Sequence, residues 1–193
     1  MILLESVPAR HHPGMAPAAR RSWRLLSEDW LLTDGTPVTI RPIRATDVVL
    51  ELGFVRGLSR ATRYQRLLST RDLLPGELRR LTDIDTTREM ALIATTRRNG
   101  AEEQLGVARY VRDSDDCGRA ELAIVVGDEW QRKGLGEKLL HDLLNSAAEA
   151  DVRVLTGITL ATNTALLTLV RKLGFSIRRE AGDATIMRIE KVL

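Results

Sequence analysis

The chain has 193 residues, enough for one compact domain and a tail but too few for two ordinary domains. Hydrophobic residues make up 44% and charged residues 28%. That is the balance of a globular chain, and no apolar run approaches the roughly 18–20 residues of a membrane-spanning helix, so neither disorder nor a membrane partner is expected. The net charge of +3 hints at nucleic acid until it is located: Arg10, Arg20, Arg21 and Arg24 against Glu5 account for all of it, and beyond residue 27 acids and bases balance. No nucleic-acid partner is therefore expected. The single cysteine, Cys117, excludes an internal disulfide. With no Cys/His cluster no metal site is expected, and a reducing, cytoplasmic setting is the natural reading.

Residues 1–27 contain three of the six prolines and no sustained periodicity, so they read as a flexible basic N-terminal arm. An organelle leader and a translation start at Met15 are alternatives for this stretch, whereas MILLESV is too short for a secretory signal. A single domain is expected over 28–193. Pro37–Ile43 alternates as a strand after the turn Asp34-Gly35. Thr46 or Asp47 can cap a helix running through Val49, Leu50, Leu52 and Phe54, and a second helical stretch covers Arg60–Leu68. A turn at Pro75-Gly76 and a short helix to Leu81 follow. Met90–Arg98 and Gln104–Asp113 are strands joined by Asn99-Gly100, a strong hairpin signal. Ala120–Val126 is a continuous apolar run broken by one acid, as expected of a central strand covered on both faces.

Helix and strand then alternate. Leu135, Leu139, Leu140, Leu143, Leu144 and Ala147 recur at helical spacing. Val152–Leu160 is a strand, and Asn163–Leu173 a helix stopped by Gly174. A closing pair of strands turns at Gly182-Asp183. This order predicts an α/β (α+β) domain: a mixed sheet of about seven strands with helices on both faces.

The segment that carries chemistry is AELAIVVGDEWQRKGLGEKLL: strand, loop, glycines, helix. Amide groups at the start of a helix lack intrahelical partners and, with the helix dipole, form an anion site. Gly134 and Gly136 remove Cβ atoms that would block a phosphate, and Arg132 and Lys133 add positive charge. A P-loop would need G-x-x-x-x-G-K-[ST], which is absent, and Leu139 stands where a dinucleotide fingerprint needs its third glycine.

The loop resembles the Q/R-x-x-G-x-G/A signature of the GNAT acetyltransferases, through Gln131, Gly134 and Gly136. Further on, Asn163-x-x-Leu166-x-x-Leu169-x-Arg171-Lys172-x-Gly174-Phe175 resembles the second cofactor motif of the same superfamily. The resemblance implies the GNAT fold, with a mostly antiparallel sheet splayed at the cofactor site, and acetyl-CoA as cosubstrate. It places Ile124, Val125 and Val126 along the pantetheine arm and the amides of Arg132, Lys133, Gly134, Leu135, Gly136 and Glu137 around the pyrophosphate. Gln131 belongs to the same loop and Asn163 stands beside the cofactor. The Glu137 carboxylate must then point away from the phosphates.

Acetyl transfer to an amine needs a neutral nucleophile, and an ammonium with a pKa near about 10.4 requires a base. Glu121 is the one ionisable group in AELAIVV and shares a strand face with Ala123 and Val125. Partial burial would raise its pKa as a base requires. The alternative for Glu121 is a cross-strand salt bridge to Arg109 or Arg119. Many members of the superfamily carry a tyrosine acid at the position of Val170, so no side-chain acid for the departing thiolate is identified. Ile158 stands where some members place their base. His141 lies in an amphipathic helix, His11 and His12 in the arm, and Cys117 beside Asp115-Asp116 reads as an unreactive strand-edge residue.

From LTDGTPVTIRPI through LSRATRYQRLLSTRDLLPGELRRLTDID to TREMALIAT, the chain resembles the catalytic domain of bacterial Pat-type protein lysine acetyltransferases. Glu121 falls at the position of their catalytic glutamate. This implies a protein lysine acceptor, such as one in an acyl-CoA synthetase, with no fused sensor domain. A small amine acceptor and a non-catalytic acetyl-CoA-sensing module are the alternatives.

Overall fold

The computed structural model describes residues 27–67 and 74–193. The expected arm, with its leader and Met15 alternatives, and the last residue of the expected Arg60–Leu68 helix lie outside the described residues. One eight-stranded sheet runs in the order β1-β2-β3-β4-β5-β6-β8-β7. Its strands are β1 (Glu28–Leu31), β2 (Pro37–Pro42), β3 (Glu89–Arg98), β4 (Ala101–Arg112), β5 (Arg119–Val126), β6 (Val154–Leu160), β7 (Ser176–Glu180) and β8 (Asp183–Val192). All neighbours are antiparallel except β5 and β6, which a helical crossover joins.

The strand beyond the seven expected is β1, whose four residues are too short to show a period. Tertiary contacts hold it: the Thr39 hydroxyl donates to Asp29 Oδ1 at 2.8 Å, and Lys138 Nζ lies 2.6 Å from Glu28 Oε2. The β3–β4 hairpin turns at Asn99 (φ 53°) and Gly100 (φ 80°), the left-handed pair that a tight two-residue hairpin needs. Cys117 sits exposed in the β4–β5 loop rather than on a strand edge.

Among the described residues five α-helices cover the sheet: α1 (Val48–Gly57), α2 (Arg60–Leu67), α3 (Pro75–Thr82), α4 (Leu135–Glu149) and α5 (Thr164–Lys172). Strand alternation sets the two faces. On one, Leu139, Leu140 and Leu143 of α4 and Val170 of α5 pack with Leu92, Ala108, Leu122 and Leu155. On the other, Phe54, Val55 and Leu58 pack with Ala91, Ile93, Val107 and Val125.

Two local expectations change. In α1 the buried side chains are Glu51, Phe54 and Val55, while Val49 is 78% exposed. Glu51 is fully enclosed (0% exposed) and accepts the Gln104 side-chain amide at 2.6 Å. A buried carboxylate met by hydrogen bonds satisfies the core, and a hydrophobic pattern cannot reveal it. Pro75-Gly76 opens α3 instead of forming a turn. Proline at the first helical position gives up an amide that has no intrahelical partner anyway, and Glu77 Oε2 accepts the Leu74 N–H at 2.7 Å.

Candidate functional site

The site begins where the parallel pair separates. β5 and β6 are paired only through Arg119↔Val154, Ala120↔Leu155 and Glu121↔Thr156. Beyond that rung β6 continues along β8 from Gly157 to Leu160, while β5 continues along β4 to Val126. The strands therefore part into a wedge with Glu121 and Thr156 at its apex. The Val125 carbonyl lies on the β4 side, 3.1 Å from where a Gly106 Cβ would stand; the Leu122 carbonyl lies toward β6, 3.0 Å from where a Gly157 Cβ would stand. By strand alternation, Ile124 and Val126 turn their backbone groups into the wedge and Val125 does not.

At the open end of β5 comes the glycine loop. Gly134 is the N-cap of α4 at φ 85°, and no side chain caps this helix. The amides of Leu135, Gly136 and Glu137 thus form the uncompensated first turn of a fifteen-residue helix. Arg132 also adopts a left-handed conformation, at φ 60°. Gly136 also serves packing: a Cβ there would stand 3.3 Å from Leu169 Cδ2 and 3.6 Å from Val126 Cγ2, so its absence lets α4 seat closely on α5 and β5. Gln131 Nε2 donates to the Val126 carbonyl at 3.1 Å, tying the loop to the strand end.

The charges around the loop are only partly those the sequence suggests. Lys133 Nζ lies 2.9 Å from Asp34 Oδ2 and 4.7 Å from the Trp130 ring centroid, so its charge is already met. The Lys133 ammonium, with the Thr36 hydroxyl and amide, pulls the Asp34 carboxyl down to about 2. Glu137 Oε2 is held by Lys172 Nζ at 2.8 Å, a bond that ties α4 to α5. Trp30, Thr33 and Asp34 of the β1–β2 hairpin buttress the loop from outside: the Thr33 N–H donates to the Lys133 carbonyl at 3.3 Å, and the Trp30 ring edge lies 3.2 Å from where a Gly134 Cβ would be. Nothing in the local pattern of EDWLLTDG signals this role.

Asn163 caps α5, its Oδ1 accepting the Leu166 N–H at 3.2 Å. Its Nδ2 donates to the Thr159 hydroxyl at 3.2 Å and carries a second hydrogen beyond that bond. Val170 is fully buried, so the face of α5 at that position contributes packing and no acid.

Glu121 lies half-buried at the apex, in register with Val111 of β4 and Thr156 of β6. Burial pushes its carboxyl up, opposed by the positive charge of Arg188 on β8. Of the two arginines considered for a cross-strand bridge, Arg119 reaches Glu190 at 3.2 Å and Arg109 donates to the Leu81 carbonyl. Glu89 shares the same sheet face two strands away, and burial raises its carboxyl too, against Arg109. Arg188 and Glu89 escaped the sequence reading because only strand register brings them to this face.

A splayed sheet, the start of α4 at its mouth and a carboxylate at its apex thus come together around the end of β5. The family model "Acetyltransferase (GNAT) domain" matches residues 38–176, and the chain belongs to this family. It is an N-acetyltransferase, and GNAT acetyltransferases use acetyl-CoA. It is 34% identical over 155 residues to Acetyltransferase PA5475 of Pseudomonas aeruginosa, covering 80% of this chain and 83% of the relative. It is 29% identical over 135 residues to Acetyltransferase Pat of Mycolicibacterium smegmatis, covering 70% of this chain but only 40% of that longer protein. The GNAT domain of S. lividans PAT has the same fold, with a TM-score of 0.77 at 24% identity over 87% of this chain and 97% of that one. Among the described residues no helix is long and apolar enough to cross a membrane, and no three His, Cys, Asp or Glu side chains gather as a metal would need.

Proposed function

We propose that the chain transfers the acetyl group of acetyl-CoA by direct attack of a primary amine, with Glu121 as general base. We infer further that the amine is a protein lysine, such as one in an acyl-CoA synthetase. The observation that carries the base is the place of Glu121, at the last paired rung before β5 and β6 separate, with its carboxyl raised by burial. A base held above the ordinary carboxylate range accepts a proton more readily near neutral pH. Acetyl-CoA, when bound, supplies the thioester carbonyl. The wedge-facing backbone of Ile124 and Val126 would hold its pantetheine amides, and the amides of residues 132–137 its pyrophosphate. Asn163 would flank the arm through its remaining N–H.

Glu121 takes the ammonium proton, directly or through one water, and leaves a neutral amine to attack. With Val170 enclosed in the core, the departing thiolate takes its proton from solvent. The protein-lysine acceptor is supported by the similarity to Pat and by the Pat-like run from Leu58 to Thr95.

Incubating the chain with labelled acetyl-CoA and cell extract, beside Glu121→Gln, tests both parts. Label in a few protein bands, lost in the variant, is the expected result. Label in the small-molecule fraction overturns the protein acceptor, and equal labelling by the variant overturns the base.

A further inference from the structure

The loop that follows β5 is bonded to the acceptor side of the molecule through one side chain. Asp128, three residues before Gln131, aims its carboxylate at the start of α2. Oδ2 accepts the Ser59 N–H at 2.9 Å, while Oδ1 accepts the Ser59 hydroxyl at 2.8 Å and the Thr62 hydroxyl at 2.6 Å. Ser59 Oγ itself accepts the Thr62 N–H at 3.2 Å, so Ser59 caps α2 and Asp128 fixes the cap. Burial pushes the Asp128 carboxyl up, but the Ser59 amide and the two hydroxyls prevail and hold it below its ordinary value. It is therefore an anionic, acceptor-only group at neutral pH. On the other side of the corner, Arg63 Nη2 donates to the Val55 and Arg56 carbonyls at the end of α1, at 3.3 and 3.4 Å. The α1–α2 corner is thereby a stiff unit with one anchor on the loop.

α1 packs on the sheet face that carries Val125, Ala123 and Glu121, and α2 packs on β5 itself. α4 and α5 close the opposite face. An amine reaching Glu121 must then come from the side that α2 borders.

We propose that Asp128 is a positioning residue: it couples occupancy of the acyl-CoA loop to the placement of α2. The inference rests on the reading above that residues 131–137 hold the CoA pyrophosphate.

Asp128→Asn preserves size but replaces one acceptor oxygen with an NH2 group that cannot accept the Ser59 N–H. Amide hydrogen exchange across 62–67 of the full chain, with and without CoA, reads the coupling, and calorimetry gives the CoA affinity. In the wild type, CoA should slow exchange in this stretch by about tenfold. In Asp128→Asn the slowing should disappear and, because coupling is reciprocal, CoA should bind several-fold to about tenfold more weakly. With a protein labelled in the extract assay as acceptor, its KM should rise about tenfold while kcat at saturating acetyl-CoA stays within about twofold. Ser59→Ala/Thr62→Ala removes the two hydroxyl bonds from the other end, keeps the Ser59 N–H bond and the loop sequence, and should weaken the slowing in the same direction, so the test survives misfolding of the first variant.

A wild type that does not bind CoA would sink the loop reading on which the proposal rests. CoA binding without slowed exchange in α2, or full slowing in both variants, would overturn the coupling alone. A loss of CoA affinity in Asp128→Asn that Ser59→Ala/Thr62→Ala does not share would overturn it too, by assigning Asp128 to the loop itself.

Discussion

Gly134→Ala tests the loop geometry by itself. At φ 85° a Cβ meets the following carbonyl, which costs about 1–2 kcal/mol for an L residue. The added methyl would also stand 3.2 Å from Trp30 Cη2 and 3.7 Å from Thr33 Cγ2. The indole is seated against the core, so it must shift by a few tenths of an ångström, at a further cost of about 1 kcal/mol. The variant should lose about 2–3 kcal/mol in urea denaturation, and CoA should bind about tenfold more weakly, because relieving the strain moves the first-turn amides. Gly134→Asn separates the two causes: asparagine tolerates the left-handed region, so only the contact term should remain. In Trp30→Ala/Gly134→Ala the contact term should vanish, leaving a positive coupling in a double-mutant cycle. Stability within about 0.5 kcal/mol of wild type, with CoA affinity unchanged, would refute the claim that the loop depends on this conformation.

Glu121→Gln should lower kcat/KM by about 10²–10⁴ and abolish the acidic limb of its pH profile, which in the wild type should lie above the ordinary carboxylate value of 4.5. Because folding raises this pKa, the wild type's contribution is full below about pH 4 and is lost as pH rises through the folded value. The variant should therefore be the more stable protein at pH 7 in urea denaturation, and the gap should close near about pH 4. Glu137→Gln removes an anion from the first turn of α4 and should tighten CoA binding by about two- to fivefold at low salt, an effect that calorimetry should see fade at high salt. Asp47→Ala takes from the buried Arg41 guanidinium its bonds at 2.7 and 3.0 Å, leaves it Glu102 at 3.1 Å and the Pro42 carbonyl, and should cost about 2–3 kcal/mol in the same denaturation assay.

Local chemistry explains what could be read from the residues alone. The leucine spacing of α4, the Asn99-Gly100 turn, the strand–glycine–helix succession and the Asn163 cap each depend on neighbours within a few positions, and all are visible in order along the chain. The same holds for the family, which shows itself in two short motifs. The acid at position 121 could be singled out because a lone charge in an apolar strand is anomalous without any structure.

Register and packing supplied the rest. Whether β5 and β6 separate after Glu121 depends on β6 following β8 and β5 following β4, a competition between pairings remote in sequence. Edge strand β1 is held by Lys138 and Thr39, Lys133 is turned toward Asp34 by a hairpin a hundred residues earlier in the chain, and Leu169 packs closely where a Gly136 Cβ would stand. Asp128 reads as an ordinary loop acid until Ser59 and Thr62 close on it. Helix periods, turns, caps and the strand–glycine–helix loop are legible along the chain because the forces behind them are short-ranged. Only the tertiary structure decided which charges meet, because the partner of a buried or half-buried charge is chosen by three-dimensional proximity and desolvation, and neither is a function of separation along the chain.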